Sequence, residues 1–270
     1  MTPVDLHCDL VGPETAPALL LGGSLGTTRA MWEPQLGPLS ARHRVIAFDH
    51  RGHGRSPVPR GPYTIADLGA DVLALMDRLG LERASYCGLS IGGMVGQWLA
   101  ISAPERIERL ILICTSAYLP PADAWRERAA AVRAAGTPAV VADAVVARWF
   151  TADWAKRNPD VVARHRQMIC DTPADGYAAC CEAIAAMDLR PSLGLISAPT
   201  LVIAARQDPA TPPEHGEAIA ASVPGATLEV LDAAAHLASV ERAEAVTALV
   251  AAHLQAPAAA SPAVDRPRGA

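Results

Sequence analysis

The sequence has little lysine and few aromatic residues. Of its 23 basic residues only Lys156 is a lysine, and aromatic residues make up 4% of the chain. A lysine that forms a Schiff base is usually activated in an apolar site or beside another cation. Lys156 lies in the polar stretch 155–158, so this chemistry has no good candidate.

Long apolar runs and metal-binding cysteine patterns are also absent. No run approaches the ~20 apolar residues of a membrane span, and no basic segment followed by an apolar one marks a secretory signal. The six cysteines show no CxxC spacing, which predicts free thiols in a reducing cytoplasm and no metal site. A formal net charge of −5 gives no basic surface for nucleic acid.

Six short apolar runs have the pattern of buried parallel strands, because each is closed by glycine or polar residues. They span residues 19–21, 45–48, 85–87, 110–114, 200–204 and 227–231. Helical patterns separate them, the clearest capped by Thr64 and ended by Gly80; others start at Gly92 or span 213–221 and 241–253. This alternation predicts an α/β fold, with a mostly parallel central sheet flanked by helices.

Between about 118 and 190 the pattern is alanine-rich and helical, with no obvious strand. Because strand patterns resume afterwards, we predict an inserted helical lid rather than a separate domain. Residues 1–255 are therefore expected to form a single domain. Residues 256–270 have the Ala/Pro-rich composition of a disordered tail.

The sharpest chemical signal is Gly88-Leu89-Ser90-Ile91-Gly92, which lies between a predicted strand and a predicted helix. A serine at such a turn is held in a strained conformation, with its hydroxyl above the edge of the sheet, and it needs small residues two positions away on each side. Ser90 is therefore predicted to be a nucleophile.

A serine nucleophile needs a base, and the base needs a carboxylate to orient it. On this topology the acid and then the histidine should follow later strands, which Asp208 and His236 do. Asp232 is the rival acid, but it lies only four residues before the histidine. We predict a catalytic triad of Ser90, Asp208 and His236.

The oxyanion formed on attack needs two backbone N–H donors. Ile91 follows the nucleophile and should provide one, and by position Leu25 should provide the other. The glycine cluster at 22–26 could instead cradle a phosphate, but it lacks the P-loop and dinucleotide-turn spacings. We therefore predict an oxyanion hole and no bound cofactor.

Motifs spread along almost the whole chain resemble those of one protein family. They include Ser24-Leu25-Gly26-Thr27, the Asp-His-Arg-Gly-His-Gly-Arg-Ser block at 49–56, the serine turn at 87–93 and Arg148-Trp149-Phe150-Thr151. The chain resembles the α/β-hydrolases, and in particular the 3-oxoadipate enol-lactone hydrolases of the bacterial β-ketoadipate pathway of aromatic degradation. The resemblance implies that Ser90 opens the enol-lactone to 3-oxoadipate through an acyl-enzyme, without a cofactor.

A small lactone that carries a carboxylate needs a cation in its site, preferably an arginine. The predicted lid offers Arg126, Arg133, Arg148 and Arg190. Of these we select Arg148 as the substrate-binding candidate, with the adjacent Trp149 as an apolar wall.

Other functions are compatible with the same residues. A general carboxylesterase, a perhydrolase or a carbon–carbon bond hydrolase would use the same triad, and ring size and pocket polarity would separate them. From a different class, a small-molecule receptor on this fold would bind without turnover. An ester-hydrolysis burst that Ser90→Ala abolishes would distinguish an enzyme from a receptor.

Overall fold

A seven-stranded sheet forms the centre of the fold in a computed structural model that describes residues 1–256. The strands lie in the order β1-β3-β2-β4-β5-β6-β7, and all neighbours are parallel except the antiparallel pair β1 and β3. Their bounds are β1 Cys8–Val11, β2 Ala18–Gly22, β3 Arg44–Phe48, β4 Ala84–Leu89, β5 Ile107–Ile113, β6 Thr200–Ala205 and β7 Thr227–Leu231.

The six predicted strands are β2 to β7, and the predicted α/β class with a mostly parallel central sheet is confirmed. The prediction that all six are buried is wrong for β7, whose residues are exposed or only partly buried. Strands β2, β4 and β6 are buried along their full length, which is why their sequences are largely apolar. The prediction missed β1. This strand is four residues long, lies at the sheet edge and is only partly buried, so it has no apolar run to reveal it.

Eleven α-helices flank or cover the sheet in the described part of the chain. Five of them, α4 to α8, lie between β5 and β6, where the sequence predicts the lid. The bounds are α1 Glu33–Ser40, α2 Ile65–Arg78, α3 Ile91–Ser102, α4 Ala122–Ala135, α5 Ala139–Val146, α6 Ala152–Arg157, α7 Pro159–Asp171, α8 Ala174–Ala186, α9 Pro213–Ser222, α10 Ala238–Glu241 and α11 Ala243–Gln255.

Helix α2 begins as its sequence predicts and anchors the loop after β3. The Thr64 side chain accepts from the Asp67 amide at 3.1 Å, and Asp67 accepts from the Thr64 amide at 2.9 Å. One turn on, Asp71 binds both Arg51 nitrogens Nε and Nη2, at 2.5 and 2.6 Å. Both of these side chains are buried, so the pair fixes the arginine–glycine loop at 51–54 against the helix.

No helix within residues 1–256 has the length and apolar character needed to cross a bilayer. All six cysteines are free, and Cys180 and Cys181 are buried in α8. The predicted disordered tail, apart from Ala256, lies outside the described residues.

Candidate active site

Ser90 occupies a strained turn between β4 and α3. Its φ of 58° and ψ of −119° fall outside the regions that a serine ordinarily adopts. Three bonds hold this conformation. The Ser90 amide donates to the Ile113 carbonyl at 3.0 Å, and the Ser90 carbonyl accepts from the Thr115 hydroxyl at 2.6 Å and from the Met94 amide at 3.1 Å. The strained turn is therefore supported by strand β5, by the residues that follow it and by helix α3.

The glycines two residues either side of Ser90 permit close backbone contacts. A Cβ at Gly88 would lie 2.2 Å from the Gly92 carbonyl oxygen, and one at Gly92 would lie 2.2 Å from the Gly22 carbonyl oxygen. Neither contact is possible for a side chain, so the turn requires glycine at both positions. Gly22 and Gly88 are also register partners in the sheet, which brings the end of β2 beside the serine turn.

Asp208 and His236 meet at the ends of β6 and β7. The distance between Asp208 Oδ2 and His236 Nδ1 is 2.8 Å, and both side chains are buried. Asp232, the rival acid in the sequence, is exposed and pairs with Arg206 at 2.9 Å. The structure therefore brings His236 to Asp208 and leaves Asp232 at the surface.

The Asp208 carboxylate accepts three further hydrogen bonds. The amides of Ala210 and Thr211 donate to Oδ1 at 2.8 and 3.0 Å, and the Thr211 hydroxyl donates to Oδ2 at 2.7 Å. Burial would raise the pKa of Asp208, but His236 and the Thr211 donors lower it below its ordinary value. Asp208 is thus held as an anion beside the imidazole. The sequence analysis missed Thr211. An Asp side chain often bonds the backbone amide two residues on in a turn, as Asp208 does with Ala210, but this pattern does not single out Thr211.

Ser90 and His236 line the same cavity, which has a volume of about 240 Å³. Within residues 1–256, the Ser90 hydroxyl and His236 Nε2 make no hydrogen bond to another protein group. Catalytic hydrogen bonds are often long without substrate and shorten when it binds. The cavity is therefore where these two groups would act together.

Both predicted oxyanion donors have amides without a hydrogen-bond partner among the described residues, whereas neighbouring amides are engaged. The Ser24 amide donates to Met31 Sδ at 3.3 Å, and the Gly26 amide donates to His53 Nε2 at 2.9 Å. The Leu25 amide lies between them, and Leu25 lines the cavity. The Ile91 amide lies at the N-terminus of helix α3, where the helix dipole favours negative charge.

His53 has a role that the sequence analysis did not assign. Because its Nε2 accepts from the Gly26 amide, its proton must be on Nδ1, which lies 3.2 Å from the Arg51 carbonyl. Burial lowers the pKa of His53, so the ring stays neutral and can accept this bond. The buried loop after β3 therefore supports the loop that carries Leu25.

Of the four predicted substrate-binding arginines, only Arg148 lines the cavity, together with Trp149. The other three are paired with acids on the protein surface. These pairs are Arg126 with Asp123, Arg133 with Glu182, and Arg190 with Asp188.

A second arginine, Arg128, also lines the cavity and was missed. It continues the inward stripe of α4, because Trp125 lies three residues before it and the buried Val132 lies four residues after it. This helical spacing was the available signal. The guanidinium of Arg128 lies 4.5 Å from the centre of the Trp125 ring.

The cavity is electropositive on its lid side. Neither Arg128 nor Arg148 forms an ion pair with a carboxylate among residues 1–256. Burial and the charge of Arg128 lower the pKa of Arg148, so an anion between the two would be favourable. The buried Tyr177 lines the same cavity, close to Arg128.

The described residues contain no group of three or more His, Cys, Asp or Glu side chains arranged to hold a metal ion. The site is built from a hydroxyl, an imidazole, a carboxylate, two free amides and two arginines. Such a set can attack an acyl carbon, hold the resulting oxyanion and bind a carboxylate.

Comparisons with known proteins cover most of the chain. A family model described as alpha/beta hydrolase fold matches residues 17–243. The 3-oxoadipate enol-lactonase 2 of Acinetobacter baylyi is 43% identical, over 90% of each chain, and enol-lactonase 1 of that organism is 39% identical, over 88% of this chain and 89% of that one. The crystal structure of the enol-lactonase from Burkholderia xenovorans is 44% identical and superposes with a TM-score of 0.91, covering 94% of this chain and 97% of that one.

Proposed function

The chain belongs to the α/β-hydrolase family, and from this premise we propose that it is a serine hydrolase that opens 3-oxoadipate enol-lactone to 3-oxoadipate. The observation that carries the proposal is the make-up of one cavity. Ser90 and His236 lie on its sheet side, and Arg128 and Arg148 lie on its lid side. A small lactone that bears one carboxylate fits both sides, because its ring carbonyl can face Ser90 and its carboxylate can face the arginines. The identity to two enol-lactonases of Acinetobacter baylyi supports the same substrate.

In the first step, Ser90 Oγ attacks the lactone carbonyl carbon and its proton passes to His236 Nε2. The carbonyl oxygen becomes an oxyanion, which the amides of Leu25 and Ile91 stabilise. Asp208 holds the imidazole through Nδ1 and stabilises its positive charge.

In the second step, the ring C–O bond breaks and the electron pair leaves with the enol oxygen, which takes the proton from His236. An enolate is a better leaving group than an alkoxide, so bond breaking depends less on proton donation by His236. His236 then deprotonates a water molecule that attacks the acyl-enzyme, and Ser90 leaves with the proton. The enol tautomerises to the ketone of 3-oxoadipate.

The substrate carboxylate would lie between Arg128 and Arg148, because these guanidinium groups lack an anionic partner within residues 1–256. We infer that the reaction takes place in the cytoplasm, since all six cysteines are free thiols, as is usual in a reducing compartment.

The proposal is tested by comparing the enol-lactone with p-nitrophenyl acetate, an ester without a carboxylate. We expect kcat/KM for the lactone to be higher by about 100-fold, because the arginines form charge-assisted hydrogen bonds only with the lactone. The measurement is the spectrophotometric loss of the enol-lactone alongside release of p-nitrophenol. A strong preference for the ester would contradict the lactonase proposal and favour a general esterase.

Removing either cavity arginine should weaken recognition of the acidic substrate only. In Arg128→Met and Arg148→Met we expect kcat/KM for the lactone to fall by about 10- to 100-fold, the usual effect of one lost bond to a charged group. Activity towards p-nitrophenyl acetate should stay near that of the parent enzyme. The measurement is kcat and KM for both substrates.

Arg126→Met is the matched control, because Arg126 is on the same helix but pairs with Asp123 at the surface. It should behave as the parent enzyme does. Equal losses for both substrates in the Arg128 and Arg148 variants would point to a damaged lid instead of carboxylate binding.

A further inference from the structure

Glu241 is a buried carboxylate that lies outside the cavity and has no role in the chemistry described above. It ends the short helix α10, five residues after His236. Its Oε2 accepts from the Ala235 amide at 2.9 Å, and its Oε1 accepts from the Thr151 amide at 3.2 Å. The Thr151 hydroxyl also donates to Oε1. Glu241 therefore bonds at once to the loop of the catalytic histidine and to the start of lid helix α6.

All three of these groups act as donors to Glu241. An ionised carboxylate satisfies all of them, because both oxygens accept and neither carries a proton. A glutamine has only one acceptor oxygen, so it cannot accept from Ala235 and from Thr151 through separate oxygens as the carboxylate does. The site therefore requires an acceptor at both terminal positions of the side chain.

A further bond joins the same two segments on the other side of the histidine. The Leu237 amide donates to the Trp149 carbonyl at 2.9 Å. Ala235 and Leu237 flank His236, and Trp149 and Thr151 flank Phe150 in the lid. The backbone on both sides of the histidine is thus attached to the lid segment 149–151, whose first residue forms a wall of the cavity.

We propose that Glu241 is a positioning residue that sets His236 and the Trp149 wall at a fixed distance from each other. It acts through the Ala235 amide on one side and through Thr151 on the other. A substrate held against Trp149 is then presented to a histidine whose loop cannot move independently. This inference rests on the proposed function only in taking His236 as the base for Ser90.

The test is the rate of acylation in Glu241→Gln, measured as the pre-steady-state burst with p-nitrophenyl acetate at 25 °C. We expect the burst rate to fall by about 10- to 100-fold, because small displacements of a catalytic group have effects of this size. The variant should retain the near-UV circular dichroism of the parent enzyme. Glu244→Gln is the matched control, since Glu244 is exposed on the next helix, and it should keep the parent rate.

Thr151 provides a second, milder pair of variants. Thr151→Val removes one donor to Glu241 and should lower the burst rate, whereas Thr151→Ser keeps the hydroxyl and should restore it. If Glu241→Gln fails to fold, this pair decides the question. In the double variant Glu241→Gln/Thr151→Val the two losses should be less than additive, because both remove the same link.

An unchanged burst rate in Glu241→Gln, with only a lower melting temperature, would overturn the inference and leave Glu241 as a structural residue. The ester burst needs no lactone, so this result is independent of the substrate proposed above. Conversely, a parent enzyme that ignores the enol-lactone but shows a Glu241-dependent ester burst would contradict the lactonase proposal and support the positioning role.

Discussion

Replacing Ser90 with alanine is expected to lower kcat for the enol-lactone by about 10⁶-fold, the size of effect seen when a triad serine is removed. Without the hydroxyl no acyl-enzyme can form, and the residual rate comes from the oxyanion donors and from binding. The strained backbone should persist, because the bonds that hold it run through the Ser90 amide and carbonyl. The measurement is steady-state lactone hydrolysis, with the p-nitrophenol burst as a second readout.

Ser85→Ala is the matched control for this substitution. Ser85 is buried near the start of the same strand, β4, at the opposite end from the turn, so its variant should hydrolyse the lactone at close to the parent rate. A Ser90→Ala protein that folds and still gives a burst would rule out Ser90 as the nucleophile. A Ser90→Ala protein that is inactive but still binds 3-oxoadipate would agree with the proposal.

Much of the fold was predictable because the central strands of the sheet are buried on both faces. Strands such as β2 and β4 are then largely apolar, and short apolar runs closed by glycine stand out in the sequence. Thr64 and Asp67 also fix the start of α2 by bonds within one turn, so local sequence was sufficient. Strand β1 obeys neither rule, since it is short and half exposed at the sheet edge.

The residues of the candidate site likewise fall into two groups. Some could be predicted from nearby sequence, and others depend on contacts between segments that are distant in sequence. The serine turn is defined by glycines two residues from Ser90, and Asp208 and His236 follow their strands directly. Helical spacing places Arg128 on the same face of α4 as Trp125 and Val132, but the direction of that face depends on how α4 packs in the lid. Glu241 accepts a hydrogen bond from Thr151, which is 90 residues away in sequence, and no local sequence pattern predicts such a contact. The chemistry was therefore predictable from position on the topology, whereas the groups that orient it depend on tertiary packing.

Replacing Asp208 with asparagine is expected to lower kcat by about 10⁴-fold while leaving the fold intact, as for the equivalent change in a serine protease triad. The amides of Ala210 and Thr211 both donate to Oδ1, so the asparagine carbonyl must occupy that position and its NH₂ must take the place of Oδ2. The NH₂ then faces His236 Nδ1, which has to accept a hydrogen bond and moves the imidazole proton to Nε2. A histidine in this tautomer cannot take the proton from Ser90.

The control for this substitution is Asp232→Asn, because Asp232 is the other acid near His236 in sequence but is exposed and paired with Arg206. It should leave kcat and KM for the lactone near the parent values. The acylation burst gives a second measurement. Asp208→Asn should slow the burst as much as it slows turnover, because acylation and deacylation both need the same histidine tautomer. A loss in Asp232→Asn as large as that in Asp208→Asn would mean that the acid of the triad is not the residue that contacts His236 in this structure. Retention of full activity by Asp208→Asn would mean that the Asp208–His236 contact at 2.8 Å does not select the tautomer, and Asp208 would lose its proposed role in the mechanism.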